Sequence, residues 1–179
     1  MFVIGDKVVY PLHGAGVIED IEEKKIDGEM SQYYVLRIPV GNLKIMVSVN
    51  NAAATGIRKI LSQCDLADAI ASVSSRPVKM NDNWNLRCKE NWEKIRTGFV
   101  CEAAEVFRNL RLRERARGLS SAEKKMLTTV KQIIISEIIL SHNIDKADAE
   151  SMLEKTFEPP AITPVIESVI LPVAEPAVV

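Results

Sequence analysis

The sequence lacks the features of secreted, membrane-spanning or disulfide-stabilised proteins. Its three cysteines are an odd number without CxxC spacing, which predicts neither a disulfide framework nor a zinc site. We interpret Cys64, Cys88 and Cys101 as reduced thiols that are buried or half buried. No basic segment followed by a long apolar run opens the chain, so no secretory signal is expected. Apolar runs are only a few residues long, too short to span a membrane, and we expect a cytoplasmic protein.

Motifs of common enzymes are also absent, including the P-loop, GxGxxG, HExxH and GxSxG patterns. The two histidines, His13 and His142, fall in different predicted domains without a cysteine or carboxylate at metal-ligand spacing. A general base needs a positioned partner, and His13 has none in its predicted turn. We therefore expect no enzyme, no metal and no cofactor. A small hydrolase is the disfavoured alternative.

Charge is distributed unevenly, although the formal net charge is only −1. Residues 76–131 carry fourteen basic and seven acidic side chains, whereas residues 132–179 carry two basic and eight acidic ones. A basic block of this kind suggests a polyanion as partner. The alternative is a solvated helical face without a partner, and composition does not decide between them.

The first sixty residues predict short strands. Residues 11–16 are expected to form a turn, because proline fixes φ and glycine permits positive φ. Alternation and β-forming residues predict strands over residues 8–10, 17–26, 33–38 and 43–49, with a hairpin at Asp27-Gly28 and a possible fifth strand over residues 56–60. Four or five short strands in this length indicate a small β-barrel.

From Ser62 onward the periodicity is helical. A first helix is expected to end in a linker at residues 74–77, and a second to run from Asp82 or Asn83 to Gly98. A third covers residues 99–117, and a capping box at residues 120–123 opens a fourth. Its buried stripe is expected to contain Met126, Leu127, Val130, Ile133, Ile134 and Ile138. A fifth helix, capped by Asp145, should end near residue 157.

These patterns predict an α+β protein with three parts. A β-barrel over residues 1–60 is followed by an all-α domain of about five helices over residues 61–157. Residues 158–179 contain five of the eight prolines and are expected to form an extended, disordered tail.

Two features of the helical domain suggest contact with nucleic acid. Basic residues crowd the predicted junction of the third and fourth helices: Arg108, Arg111, Arg113, Arg115, Arg117, Lys124 and Lys125. Such residues can interact with the negative end of a helix dipole, but their number favours a phosphate-binding surface. Trp84 lies at a predicted helix start among polar residues. Although tryptophan is usually a core residue, an exposed one near cations can wedge or stack at a disturbed base step. Trp92, by contrast, is expected in the core.

Several segments resemble the CarD/CdnL family of bacterial RNA polymerase-binding transcription regulators. The opening segment, VVYPLHGAG over residues 8–16, is similar to that family's N-terminus, whose barrel is shared with transcription-repair coupling factors. The segments NWNLRCKEN over residues 83–91 and RARGLSSAEKKML over residues 115–127 resemble its helical domain. The resemblance covers about residues 1–157 and implies that the barrel is Tudor- or SH3-like.

The resemblance implies a protein that binds the RNA polymerase β subunit and promoter DNA. Its polymerase contact is partly strand addition, which by position would involve Lys24, Lys25, Lys44, Ile45, Met46 and Val47. Met46 stands where relatives often carry arginine. On the DNA side, Trp84 would be a minor-groove wedge at the upstream fork of the bubble. Arg87, Lys89 and Lys125 would hold phosphates, and charge adds Arg111, Arg115 and Lys124.

We therefore expect a monomeric regulator, associated with the nucleoid through RNA polymerase, that stabilises the open complex with little sequence specificity. The alternative is a protein-interaction adaptor on the polymerase that makes no DNA contact.

Overall fold

The computed structural model describes residues 1–26, 29–74 and 80–157. It confirms the α+β prediction, with an antiparallel sheet followed by five helices. The strands are β1 Lys7–Tyr10, β2 Gly14–Ile26, β3 Glu29–Ile38, β4 Leu43–Ser48 and β5 Arg58–Lys59. The helices are α1 Gln63–Ser74, α2 Trp84–Arg96, α3 Val100–Arg117, α4 Ser121–His142 and α5 Lys146–Phe157. None of the helices within the described ranges is long and apolar enough to cross a membrane. The predicted hairpin at Asp27-Gly28, most of the 74–77 linker and the 158–179 tail lie outside the described residues.

The sheet has the strand order β4-β3-β2-β1-β5 and buries side chains on both faces. Val8 belongs to a cluster with Ile18, Tyr34 and Leu36 inside the curved sheet. Its neighbour Val9 is equally buried. Because successive side chains of a strand point to opposite faces, Val9 is buried on the other face of the sheet. The second face is covered because β2 packs on α4.

The turn between β1 and β2 is shorter than the sequence suggests. Residues 11–16 were expected to form it, but Gly14 and Gly16 already pair with Tyr10 and Val8 in the ladder. The glycines permit close packing. A Cβ atom on Gly14 would lie 2.4 Å from Ser136 Oγ, and one on Gly16 would lie 2.7 Å from the Arg37 carbonyl oxygen.

Replacing Gly14 with alanine should therefore destabilise the fold beyond the cost of its backbone conformation. Gly14 has a φ of +100°, and its Cβ would also lie 3.3 Å from the Ile133 Cα atom. Gly41→Ala is the matched control, since Gly41 has a φ of +82° with no atom within 4 Å of its Cβ position. Overpacking costs about 1–3 kcal/mol, so urea unfolding should show that additional loss for Gly14→Ala. Equal losses for the two variants would contradict the steric argument.

The five helices share one apolar core, as the periodicity predicted. Leu66, Ile70 and Val73 of α1 pack with Phe107 of α3 and Ile134 of α4. Between Ile133 and Ile138, every residue of α4 is buried, because the helix lies between the sheet and its neighbouring helices. Leu127, expected in this buried stripe, is only partly buried.

Capping residues determine where the helices begin and end. The Asn83 side chain accepts hydrogen bonds from the backbone at α2, and Ser120 and Glu123 form the predicted capping box of α4. The Asp145 carboxylate accepts a hydrogen bond from Asp148 N at 2.9 Å at the start of α5. The expectation for the thiols was wrong for two of three, since Cys64 and Cys101 are exposed and only Cys88 is half buried.

Candidate nucleic-acid and protein interfaces

Trp84 is an exposed aromatic side chain at the place where the N-terminus of α2 meets that of α4. It is the first residue of α2, and 47% of its surface is exposed. Its indole Nε1 donates a hydrogen bond to Ser120 Oγ at 3.3 Å, which links it to the N-terminus of α4. Trp92, on the same helix, is partly buried against the core, as expected. The two tryptophans therefore have different environments.

A buried carboxylate fixes the elements around Trp84. Glu123 is 2% exposed and accepts a hydrogen bond from Arg87 Nε at 3.0 Å. It also accepts hydrogen bonds from the backbone and hydroxyl of Ser120, at 3.0 and 2.9 Å. Arg113 Nε lies 3.2 Å from it in an ion pair without hydrogen-bond geometry. Glu123 thus joins α2, the end of α3 and the start of α4.

The charge of Glu123 is stabilised by these partners. Burial alone would raise its pKa, because a low-dielectric environment disfavours the ionised form. Hydrogen bonds from Ser120 and Arg87 outweigh burial, together with the charge of Arg87, and hold the pKa of Glu123 below its usual value. The carboxylate is therefore ionised at neutral pH.

Arg87 is where the structure departs most from the expected DNA contacts. Its side chain is 2% exposed, and besides Glu123 it donates to the carbonyl oxygens of Asn81 at 2.8 Å and Asp82 at 3.2 Å. A guanidinium saturated by protein acceptors does not reach a phosphate. Arg87 instead anchors the segment that precedes Trp84.

Most of the arginine cluster on α3 also has internal partners. Arg108 is buried and donates to the Val73 carbonyl oxygen. Arg111, expected on the DNA surface, is one-third exposed and pairs with Glu114 at 3.3 Å and Glu154 at 2.7 Å. Burial would raise the pKa of Glu154, but the Lys131 hydrogen bond and the Arg111 charge keep it below its usual value. For these arginines the structure favours a scaffolding role.

Four exposed cations remain around the α3–α4 junction. Arg115 and Arg117 end α3, and Lys124 and Lys125 belong to the first turns of α4. Within the part of the chain that the structure describes, none of them forms an ion pair closer than 4.0 Å to a carboxylate. Ser120, the hydrogen-bond partner of Trp84, lies between the two pairs in the chain. We call these four cations with Trp84 the basic corner.

Lys89 lies away from the basic corner. It follows Trp84 by five residues, which corresponds to about 140° around an α-helix. It is well exposed, pairs loosely with Glu93 at 3.9 Å, and lines a cavity of about 380 Å³ with Leu12, Trp92 and Arg96. The structure therefore does not bring Lys89 and Trp84 to one surface, although they are close in sequence.

Strand β4 forms an open edge of the sheet, since β3 is its only neighbour among the strands of the described residues. Val49 N donates to Gln32 O at 2.9 Å, on the β3 side. Because residues of an antiparallel strand alternate between facing the partner and facing away, the backbone groups of Lys44, Met46 and Ser48 point to the open side. An unpaired edge of this kind is a template for another strand.

The side chains expected to bind polymerase are placed differently around this edge. Lys44 and Met46 are exposed and Ile45 is half buried, whereas Val47 is 4% exposed and belongs to the sheet core. Lys24 Nζ lies 3.1 Å from Met46 Sδ, and Lys25 is exposed beside it. Val47 is therefore unsuitable as a side-chain contact, because the pleat that exposes Met46 turns Val47 inward.

Ser120 and Glu123 are the residues of this region that sequence reasoning assigned no part beyond a helix cap. The capping-box pattern was visible, but it indicates only where a helix begins. Nothing in the spacing shows that the same two side chains also contact Trp84 and Arg87, which precede them by 36 residues.

Comparisons with known proteins agree with the segments identified above. The family described as "CarD-like/TRCF RID domain" matches residues 2–61, and the one described as "CarD, C-terminal domain" matches residues 68–154. A protein of Bacillus subtilis (strain 168), named "Putative transcription factor YdeB", is 36% identical over 151 residues, which are 84% of this chain and 99% of that one.

A solved structure is also similar in sequence. The solution NMR structure of the 72-residue N-terminal domain of Myxococcus xanthus CarD is 29% identical, with a TM-score of 0.30, and the match covers 33% of this chain and 79% of that domain. The two family matches and the Bacillus relative establish that the chain belongs to the CarD family of bacterial transcription regulators.

Proposed function

We propose that the protein binds the RNA polymerase β subunit through the open edge of β4 and promoter DNA through the basic corner, and that it thereby stabilises the open complex. In this proposal the protein is a binding regulator that reads the shape of the DNA fork and little of its sequence. The β-subunit and open-complex parts follow from the resemblance, and the geometry of the two surfaces supports them.

The edge of β4 supports the polymerase contact. Its outward backbone groups at Lys44, Met46 and Ser48 can pair with an extended strand, and such pairing supplies affinity independently of side chains. Lys44 is 58% exposed and pairs loosely with Glu19 at 3.9 Å, and Lys24 is 46% exposed and pairs with Glu22 at 3.2 Å. Both side chains are more exposed than that of Arg111, so they stay accessible to acidic groups of a partner. A methionine at position 46 leaves these lysines to supply the charge that an arginine gives relatives.

The observation that carries the DNA contact is the exposed indole of Trp84, which donates a hydrogen bond to Ser120. Ser120 in turn lies in the chain between two pairs of exposed cations, Arg115 with Arg117 and Lys124 with Lys125. Aromatic side chains wedge or stack on unstacked bases, and cations beside them neutralise phosphates. Minor-groove and phosphate contacts discriminate poorly among sequences. The arrangement therefore suits a distorted fork better than an intact duplex.

Stabilisation of the open complex follows from this preference. A ligand shifts an equilibrium only by its differential affinity for the two states, so contacts made only with the melted fork slow bubble collapse. A preference of about 1.4 kcal/mol gives a tenfold shift. The polymerase contact raises the local concentration of the basic corner at the promoter.

The direct test is the lifetime of an open complex with purified cognate polymerase, measured with and without the protein. We expect a longer lifetime in its presence. An unchanged lifetime despite demonstrated polymerase binding would contradict the proposal and favour the adaptor that makes no DNA contact.

Salt dependence distinguishes the two functions further. Neutralising phosphates releases counterions, so fork-DNA affinity should fall steeply with added salt. Changing Lys124 and Lys125 to glutamine should make the slope of log affinity against log salt concentration shallower by about two, one for each lost phosphate contact. Changing Lys146, an exposed lysine on α5 paired with Glu150 at 3.8 Å, should leave it unchanged.

A further inference from the structure

We infer that the sheet and the helical domain form one rigid spacer, whose joint at Arg58, Ser136 and Glu137 sets the distance between the β4 edge and Trp84. On this inference, which rests on the proposed function, the protein selects where the wedge meets the DNA by its own geometry. The three residues are positioning residues, since they act through surfaces that they do not themselves form.

An ion pair forms the first half of the joint. Arg58 of β5 donates from Nη1 and Nη2 to the two carboxylate oxygens of Glu137 on α4, at 2.7 and 2.9 Å. Arg58 Nε donates to the Gly98 carbonyl oxygen at 2.9 Å, and Leu61 N donates to Glu137 at 3.1 Å. Glu137 is 1% exposed. A two-point contact between planar groups fixes orientation as well as distance.

Close backbone packing forms the second half. Ala15 N donates to Ser136 Oγ at 2.7 Å in a buried contact, and the same hydroxyl donates to Ile133 O at 2.7 Å. Gly14 approaches so closely that a Cβ atom would collide with this hydroxyl. Strand β2 thus meets α4 without an intervening layer of side chains or water.

Contacts at the rim extend the joint. Lys7 Nζ donates to Leu140 O at 2.7 Å, and Ser141 Oγ donates to Leu61 O at 3.1 Å. The ion pair, the serine contact and these rim bonds lie on a single helix, α4, from Ile133 to Ser141. The same helix begins beside Trp84, so it connects the joint directly to the basic corner.

The effect of the joint on the position of Trp84 along the DNA can be expressed in base pairs. If only the three residues between β5 and α1 connected the two parts, a flexible linker of that length would spread their separation over about 10 Å. At roughly 3.4 Å of duplex per base pair, this corresponds to about three possible positions of the wedge. A rigid joint reduces them to one.

The experiment compares the natural joint with the variant Ser136→Ala/Glu137→Gln in the full chain. A photo-crosslinking amino acid at Ser121, which is exposed beside Ser120, reports which nucleotides lie at the basic corner in the open complex. We expect crosslinks at one or two adjacent nucleotides for the natural joint. For the variant, they should spread over about three positions, with a several-fold shorter open-complex lifetime and unchanged polymerase affinity.

Glu150→Gln is the matched control, because Glu150 is on α5 and pairs only with Lys146 within the described chain. It should change neither the crosslinks nor the lifetime. The inference is overturned if the joint variant gives the same crosslinks and lifetime as the natural joint. If the natural protein does not prolong the lifetime at all, the proposed function fails instead.

A second measurement does not depend on the folding of any joint variant. Spin labels at Lys44→Cys and Ser121→Cys, in a background with the three natural cysteines changed to serine, report the separation of the two surfaces. A single narrow distance distribution is expected. A distribution broader than about 10 Å would overturn the rigid spacer, whether or not the protein lengthens the open state.

Discussion

Trp84→Ala is expected to abolish most of the proposed lengthening of the open-complex lifetime while leaving polymerase affinity unchanged. The substitution removes the indole at the basic corner, and the β4 edge is formed by other residues, on a different element of the fold. Stacking of one base on an aromatic side chain contributes about 1–3 kcal/mol. The loss should therefore be about fivefold to a hundredfold in lifetime, at 1.4 kcal/mol for each factor of ten.

Leu86→Ala provides a matched control for this substitution. Leu86 is also in the first turn of α2 and is 49% exposed, close to the 47% of Trp84. Two residues on a helix are about 200° apart, so Leu86 faces away from Ser120 and the α4 terminus. Its variant should retain the full lifetime. If Trp84→Ala were folded and kept the full effect, or if both variants lost it equally, the wedge would be wrong.

The strands and helices could be predicted because their signals are local. The i, i+3, i+4, i+7 spacing of α1 and the Ser120–Glu123 capping box depend on neighbours within one or two turns. The predicted extent of the turn, residues 11–16, was wrong for the opposite reason. Gly14 and Gly16 were interpreted as turn residues, but they are required by Ser136 and Arg37, which are distant in sequence and adjacent only in the fold.

The DNA surface was harder to predict because a basic side chain looks the same in sequence whether its partner is a phosphate or a buried carboxylate. Arg87 and Arg111 belong to the basic block, yet Glu123 and Glu154 neutralise them. Those carboxylates are contributed by α4 and α5, 36 and 43 residues away. The exposure of Trp84 was easier to predict, since polar neighbours at a helix start already favour an exposed side chain.

The same limit applies at the β4 edge. Alternation in residues 43–49 correctly separated Val47 from Met46 by face, but it could not show which edge of the strand remains unpaired. Strand order depends on how the strands pair around a core that includes Tyr34 and Leu36 of β3, which is a property of the whole sheet. The resemblance supplied the expected edge, and the strand order is compatible with it.

Glu123→Ala should produce a large loss of stability. The substitution removes the acceptor of Arg87 and of Ser120 N, and leaves Arg87 98% buried without its counter-charge. Breaking one partner of a buried ion pair costs about 3–5 kcal/mol. Urea unfolding at pH 7 should show a loss in that range. Glu93→Ala is the control, because Glu93 is 60% exposed and pairs at 3.9 Å with Lys89, and surface changes of this kind stay within about 0.5 kcal/mol.

The pH dependence of unfolding tests the charge of Glu123 separately from its packing. Its pKa in the folded protein lies below the ordinary value of 4.5, so the unfolded chain binds a proton more readily than the folded one. The stabilisation is therefore fully present well above pH 4.5 and is lost as the pH falls towards the folded pKa. The stability of the natural protein should decrease more steeply below about pH 5 than that of Glu123→Gln, which has no proton to gain there.

Glu154, whose pKa is also lowered, gives both proteins some acid sensitivity, so the difference between the two slopes is the informative quantity. Parallel curves would mean that Glu123 acts through hydrogen bonding and packing alone, and the electrostatic account of this buried site would be wrong.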